Sequence, residues 1–218
     1  MRSAGILMPI SSLPSPYGVG TLGKAARDFV DFLASAGQSY WQILPICPTS
    51  YGDSPYQSFS SYAGNPYFID LDALAERGFL KRSEYRDVGW GDDPARVDYA
   101  LLYERRYPVL RRAVQRLLAA PPADFAPFLA DNADWLEDYA LFMALKDKFG
   151  GVSWFQWPEE LRRRDPAALK AAGQELAQDI LFWKAVQYLF FTQWWSLKEY
   201  ANSQGVSIIG DLPIYVAG

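Results

Sequence analysis

Three short apolar runs stand out from an otherwise mixed pattern: Gly5–Ile10, Tyr40–Ile46 (YWQILPI) and Val206–Ile209. Runs this brief, bounded by turn-forming residues, predict buried strands. Between the first two lies GKAARDFVDFLASAG, where Ala26, Phe29, Val30 and Leu33 fall at i, i+3, i+4 and i+7. That spacing predicts one apolar face of a helix, closed by Gly37. Strand, helix and strand with short links form a βαβ unit, and so predict a parallel sheet.

From Leu74 to Ala177 the spacing is helical throughout, with no strand signal and no internal repeat. Asp134 and Glu137 have the spacing of a capping box, which predicts a helix opening there and stopping at Gly150-Gly151. PPADFAPF and RRRDPAALKAAG mark breaks between helices. The clusters Arg105-Arg106 and Arg162-Arg163-Arg164 read as solvated helix faces. From Asp179 to Asn202 the chain is apolar almost all round, which predicts a buried helix between sheet and insertion. Trp194 and Trp195 read as packing residues of that helix, and Trp41, inside a strand, as core. Lys184, Gln187, Gln193, Lys198 and Glu199 interrupt the helix too often for a membrane span. The expected division is 1–73 (first strands and an aromatic loop), 74–177 (helical insertion) and 178–218 (helix and third strand).

Composition narrows the chemistry. Half of the 218 residues are hydrophobic and the net charge is −4, which gives no basic footprint for nucleic acid. There is no histidine, so imidazole triads and the commonest metal ligands are excluded. Any acid–base chemistry here falls to carboxylates, Tyr or Lys. The single cysteine, Cys47, forms no internal disulfide and reads as a buried small hydrophobe. The N-terminal MRSAGILMPISSLPS is too short in apolar residues for a secretory signal, and no run approaches a membrane span of ~18 residues. A cytoplasmic protein without metal or organic cofactor is expected.

The most unusual stretch is Tyr51–Leu71, YGDSPYQSFSSYAGNPYFIDL, which carries four Tyr and two Phe among Gly, Ser, Asn, Asp and Pro, with no Lys or Arg. Flat rings interleaved with short polar groups suit a sugar: rings stack on its C–H faces, and hydroxyls, amides and carboxyls bond its hydroxyls. A loop pinned to its domain by tyrosines is the other reading, and composition leaves both open.

The wording of the segment carries more. Together with YWQILPICPTS and SSLPSPYGVGTLG upstream, and IIGDLPIYVAG near the C-terminus, it closely resembles the 4-α-glucanotransferases of the amylomaltase family, in order along the whole chain. The resemblance implies the N-terminal part of an α/β (β/α)8 TIM barrel with a large helical insertion. All three strand candidates run straight into the unusual loops, as active-site loops do on one face of such a barrel. It implies that Tyr56 and Asp211 line the subsite holding the reacting glucose, and that Tyr51 belongs to a more remote glucan groove. Asp53 and Ser54 are candidates for supporting contacts, which loop structure explains equally well. From position alone, Asp211 could also be a turn or cap residue before Pro213.

A TIM barrel takes about 250 residues and eight strands, so three strands imply the N-terminal portion of a longer enzyme. On this reading no catalytic residue lies in the chain; the nucleophile and acid/base are expected beyond Gly218. The partners implied are α-1,4-glucans and maltooligosaccharides, reacting by a retaining double displacement. A non-catalytic glucan-binding module, and a hydrolase of the α-amylase clan, stand as alternatives.

Overall fold

The computed structural model describes residues 3–50, 52–93, 95–213 and 215–216. Along the chain come β1 (Gly5–Leu7), α1 (Lys24–Ser35), β2 (Tyr40–Gln42) and β3 (Gln57–Ser58). A helical run follows: α2 (Leu71–Glu76), α3 (Tyr99–Ala119), α4 (Phe125–Asp131), α5 (Ala133–Lys148), α6 (Glu159–Arg162) and α7 (Pro166–Glu175). Then come α8 (Ala177–Ser203), β4 (Ser207–Ile209) and β5 (Tyr215–Val216). The three expected strands form one parallel sheet of order β1-β2-β4. Two are shorter than the apolar runs because Pro9 and Pro45 follow closely and have no N–H to give the ladder.

The register aligns Ile6, Trp41 and Ile208 on one face, and Leu7, Gln42 and Ile209 on the other. The first face is covered. Trp41 is fully buried, its ring edge-on to Phe29 of α1 at 5.1 Å, and its Nε1 donates to the Met8 carbonyl at 2.8 Å. The second face is open, with Leu7 and Ile209 exposed. Fully buried strands were expected; these are buried on one side. The described residues thus form three strands of an α/β fold with helices on a single face.

The small β3–β5 pairing escapes the sequence pattern, because two residues give no periodicity and the partners stand far apart in the chain. Helix α5 starts at Ala133, so Asp134 lies in the first turn and is not the cap. The Asn132 side chain instead donates to the Phe128 carbonyl and accepts from Trp135 Nε1, tying α4 to α5. Gly150 and Gly151 end the helix at φ of 68° and 79°, as its stop signal requires.

Helices α3, α5 and α8 enclose the larger core, with Trp183 of α8 edge-on to Tyr107 and Tyr139. Two expectations fail here. Trp195 is half exposed, on the outward side of a turn whose Gln193 and Leu197 are buried, while Trp194 is partly buried and packs against the core as expected. Arg106 is not solvated at all: it is fully buried, and its Nη2 donates to the carbonyls of Tyr67, at 2.8 Å, and Ile69. It shares a helix face with Leu102, Val109, Leu110 and Ala113, all buried. Burial lowers its guanidinium to about 10, still charged at neutral pH. Arg162, Arg163 and Arg164 are exposed as expected.

Candidate functional site

The aromatic loop leaves β2 through Pro45 and Pro48 and returns at Asn65, whose N–H donates to the Ile46 carbonyl at 2.8 Å and closes the neck. Inside it, a tight turn places Gly52 at φ 92° and Asp53 at φ 57°, with the Asp53 N–H on the Ser50 carbonyl at 3.1 Å. Asp is among the few residues other than Gly that adopt this left-handed conformation readily. Ser54 Oγ accepts from the Tyr56 N–H at 3.3 Å, and the Ser50 N–H reaches the Gln57 carbonyl at 3.0 Å. These bonds hold the short span from Ser50 to Gln57 without any regular element.

Strand β3 then sets Tyr56 beside the other end of the chain. Gln57 pairs with Tyr215 and Ser58 with Val216, in parallel. Tyr56 immediately precedes β3, and Asp211 lies just upstream of β5. The Tyr56 hydroxyl donates to Asp211 Oδ2 at 2.7 Å, across a separation of 155 residues. Asp211 Oδ1 accepts from the Leu212 N–H at 2.8 Å, which fixes the carboxylate plane. The Tyr56 ring is 42% exposed, so its face is free to stack on a ligand. The bond to Asp211 raises the phenol above its ordinary value, so it remains a donor through the neutral range.

A groove of about 380 Å³ opens beside Asp211, lined by Ile43, Ile46, Cys47, Tyr62, Phe191 and Trp194. At its rim Tyr62, 69% exposed, stacks on Trp135 of α5 with centroids 6.2 Å apart. Cys47 is buried there, and burial pushes its thiol up to about 11, which leaves it an inert hydrophobe.

Asp53 faces a different and smaller space of about 30 Å³, shared with Ser11, Asn65 and Tyr99. Burial raises its carboxyl. Of the five residues expected to contact ligand, the structure brings Tyr56 and Asp211 into contact and Ser54 against their support. Asp53 stands apart, and Tyr51 lies outside the described residues. Tyr62 and Trp135 went unremarked as a pair because the stack joins loop to α5. No group of three or more potential metal ligands clusters among the described residues. No helix among them is long and apolar enough to cross a membrane.

A family model described as 4-alpha-glucanotransferase matches residues 8–218. The chain belongs to the 4-alpha-glucanotransferase family. It is 49% identical to the 4-alpha-glucanotransferase of Clostridium butyricum over 210 residues, which is 96% of this chain and 43% of that one. To the Thermus thermophilus member it is 51% identical over 220 residues, again 43% of the relative. Among solved structures, the amylomaltase of Streptococcus agalactiae in complex with acarbose superposes with a TM-score of 0.96 at 46% identity, covering 99% of this chain and 44% of that one. The amylomaltase of Corynebacterium glutamicum shares the fold, with a TM-score of 0.72 at 19% identity, over 98% of this chain and 30% of that one. The chain therefore spans under half the length of these family members.

Proposed function

We propose that this chain is the glucan-positioning part of a 4-α-glucanotransferase acting on maltooligosaccharides and starch-like α-1,4-glucans. Tyr56 and Asp211 hold the glucose unit at which the bond is exchanged: the ring stacks on its C–H face, and the carboxylate accepts from its hydroxyls. Ser54 braces Tyr56. Tyr51 contacts glucan further along, in the groove that the family resemblance implies, and Asp53 supports the loop from behind. The observation that carries the reading is the 2.7 Å bond joining Tyr56 to Asp211 from opposite ends of the chain. A merely structural loop has no need of an exposed ring paired to a strand-end carboxylate.

The chemistry itself falls to carboxylates in the part of the family's length that this chain does not match. There a nucleophile and an acid/base would work through a covalent glycosyl-enzyme intermediate. The open face of the β1-β2-β4 sheet is then the interior of a (β/α)8 barrel, residues 74–177 are an insertion beside it, and residues 178–218 resume the barrel. The protein acts in the cytoplasm, or in a comparable compartment where α-glucan is stored.

Removing only the bonded groups tests this. In the full-length protein, Tyr56→Phe and Asp211→Asn are each expected to lower kcat/KM for maltotriose disproportionation by roughly 10–100-fold, the worth of a hydrogen bond to a charged group. Acarbose affinity should fall with it. Full activity in both variants would place the glucose-binding subsite elsewhere. Product analysis then decides between transfer and hydrolysis: longer oligosaccharides with little added reducing sugar for the first, free reducing ends for the second.

A further inference from the structure

Two of the polar residues on α8 are not at its surface. Gln187 is fully buried and Gln193 nearly so, on a helix whose neighbouring positions are Phe, Leu and Trp. A side-chain amide buried in such surroundings needs partners for both its donor and its acceptor. Each glutamine finds them on the backbone N–H and C=O of one residue in the returning arm of the aromatic loop. Gln187 Oε1 accepts from the Gly64 N–H at 2.8 Å, while its Nε2 donates to the Gly64 carbonyl at 3.0 Å. Gln193 repeats the arrangement on Asp70, at 2.7 Å and 3.0 Å. The side-chain amide copies a strand partner: one donor and one acceptor, in one plane, against a backbone N–H and C=O.

The spacing matches on both sides, because Gly64 and Asp70 are as far apart in sequence as Gln187 and Gln193. Phe190, midway between the glutamines, lies against Gly64 so closely that a Cβ there would sit 2.0 Å from its ring. On the far side, Arg106 of α3 donates to the carbonyls of Tyr67 and Ile69 between the two clamped residues. These helix contacts go to loop backbone, which the Leu22 N–H also reaches at the Phe68 carbonyl at 2.9 Å, while Thr21 Oγ1 donates to the Asp70 side chain at 2.6 Å.

We propose that Gln187 and Gln193 are positioning residues. They fix the backbone from Gly64 to Asp70 and so, through the Asn65–Ile46 neck beside Gly64, set the loop that presents Tyr56 to glucan. This rests on the glucan-binding reading above. Asparagine is too short to make both bonds, ionised glutamate lacks the donor, and leucine lacks both groups.

The protonation state of a glutamate provides the test. In Gln187→Glu the ionised side chain faces the Gly64 carbonyl without a proton to give, whereas the protonated form offers O–H and C=O in the original pattern. Besides the Gly64 peptide, the Tyr139 hydroxyl of α5 faces this position, at 3.4 Å, and burial raises it so far that it stays protonated throughout the range used. In the full-length protein, acarbose affinity relative to wild type at the same pH is expected to fall roughly tenfold or more at pH 8. It should return toward wild type at pH 5. Gln187→Leu should be weak at both values. Hydrogen exchange should rise in the weak states at the amide of the residue that has lost its clamp, Gly64 for Gln187 and Asp70 for Gln193, while α1 and α5 keep their protection. If Gln187→Leu fails to fold, Gln193→Glu takes its place, and its affinity is expected to follow pH as that of Gln187→Glu does. Wild-type affinity in Gln187→Leu, which has neither group at any pH, overturns the inference, as does loss in a glutamate variant that pH 5 does not repair. If wild type itself binds no acarbose, the functional reading fails. The clamp is then upheld or rejected by whether Gly64 protection in Gln187→Glu follows pH.

Discussion

Glu84 shows what a single side chain can do at the margin of this fold. One of its oxygens accepts from the Lys81 N–H at 2.7 Å, and both take the two nitrogens of Arg116, each at 2.7 Å. The Arg116 guanidinium, helped by the Lys81 N–H, holds the carboxyl down at about 2. A carboxyl depressed in the folded state adds stability above its unfolded value of about 4.3, and loses it as pH falls toward the folded value. The melting temperature of the wild type should therefore drop between pH 5 and pH 2 by more than that of Glu84→Gln. Parallel declines would show that the pair adds nothing. Neighbouring arginines illustrate how much of this is legible in a sequence. Arg105 and Arg106 look like one charge cluster, yet Arg106 lies three or four residues from Leu102, Val109 and Leu110 and shares their buried face. Its helical phase carried the information that its charge concealed. Motif resemblance assigned Tyr56 and Asp211 to one subsite, but their contact was not legible at all, since nothing local records a bond across 155 residues.

At the scale of elements, the strongly periodic segments are the readable ones. Helix α1 spans Lys24–Ser35 with Ala26, Val30 and Leu33 of its expected face fully buried and Phe29 partly so, packed against the core. The long apolar stretch became α8, Ala177–Ser203, and the three expected strands formed a parallel sheet. What spacing could not reveal was the partner of each polar break in an apolar pattern, because partners come from other elements. Helix α3 holds a different kind of irregularity. Pro108 sits in its interior, on an exposed face, where it cannot donate to the carbonyl one turn back. Pro108→Ala should restore that bond without disturbing the core, and stabilise the protein by about 1–3 kcal/mol after allowing for the freer unfolded chain. Chemical denaturation of the two proteins would measure it. A lower midpoint for the alanine variant would mean that the backbone restriction imposed by Pro108 is needed for packing on α8.

For the whole molecule, the dominant fact is a sheet covered on one face only. Leu7 is 51% exposed, Ile209 44% and Leu212 68%, close to the rim where Asp211 sits. Apolar groups on an open sheet with free edges favour association between copies. Produced as these 218 residues, the chain is expected to self-associate as concentration rises, and Leu7→Lys combined with Ile209→Lys should return it toward a monomer in light scattering. A concentration-independent monomer in the unsubstituted chain would show that the face does not attract its own kind. The two glutamine clamps also set an order in time. Each joins residues 123 positions apart, and a ribosome adding about 5–20 residues per second needs roughly 6–25 s to cover that distance. For that interval the tyrosine-rich segment exists without the helix that will shape it. Its abundance of Gly, Ser, Asn and Pro, which looks wasteful in the finished protein, suits a stretch that must wait in water without finding a wrong partner.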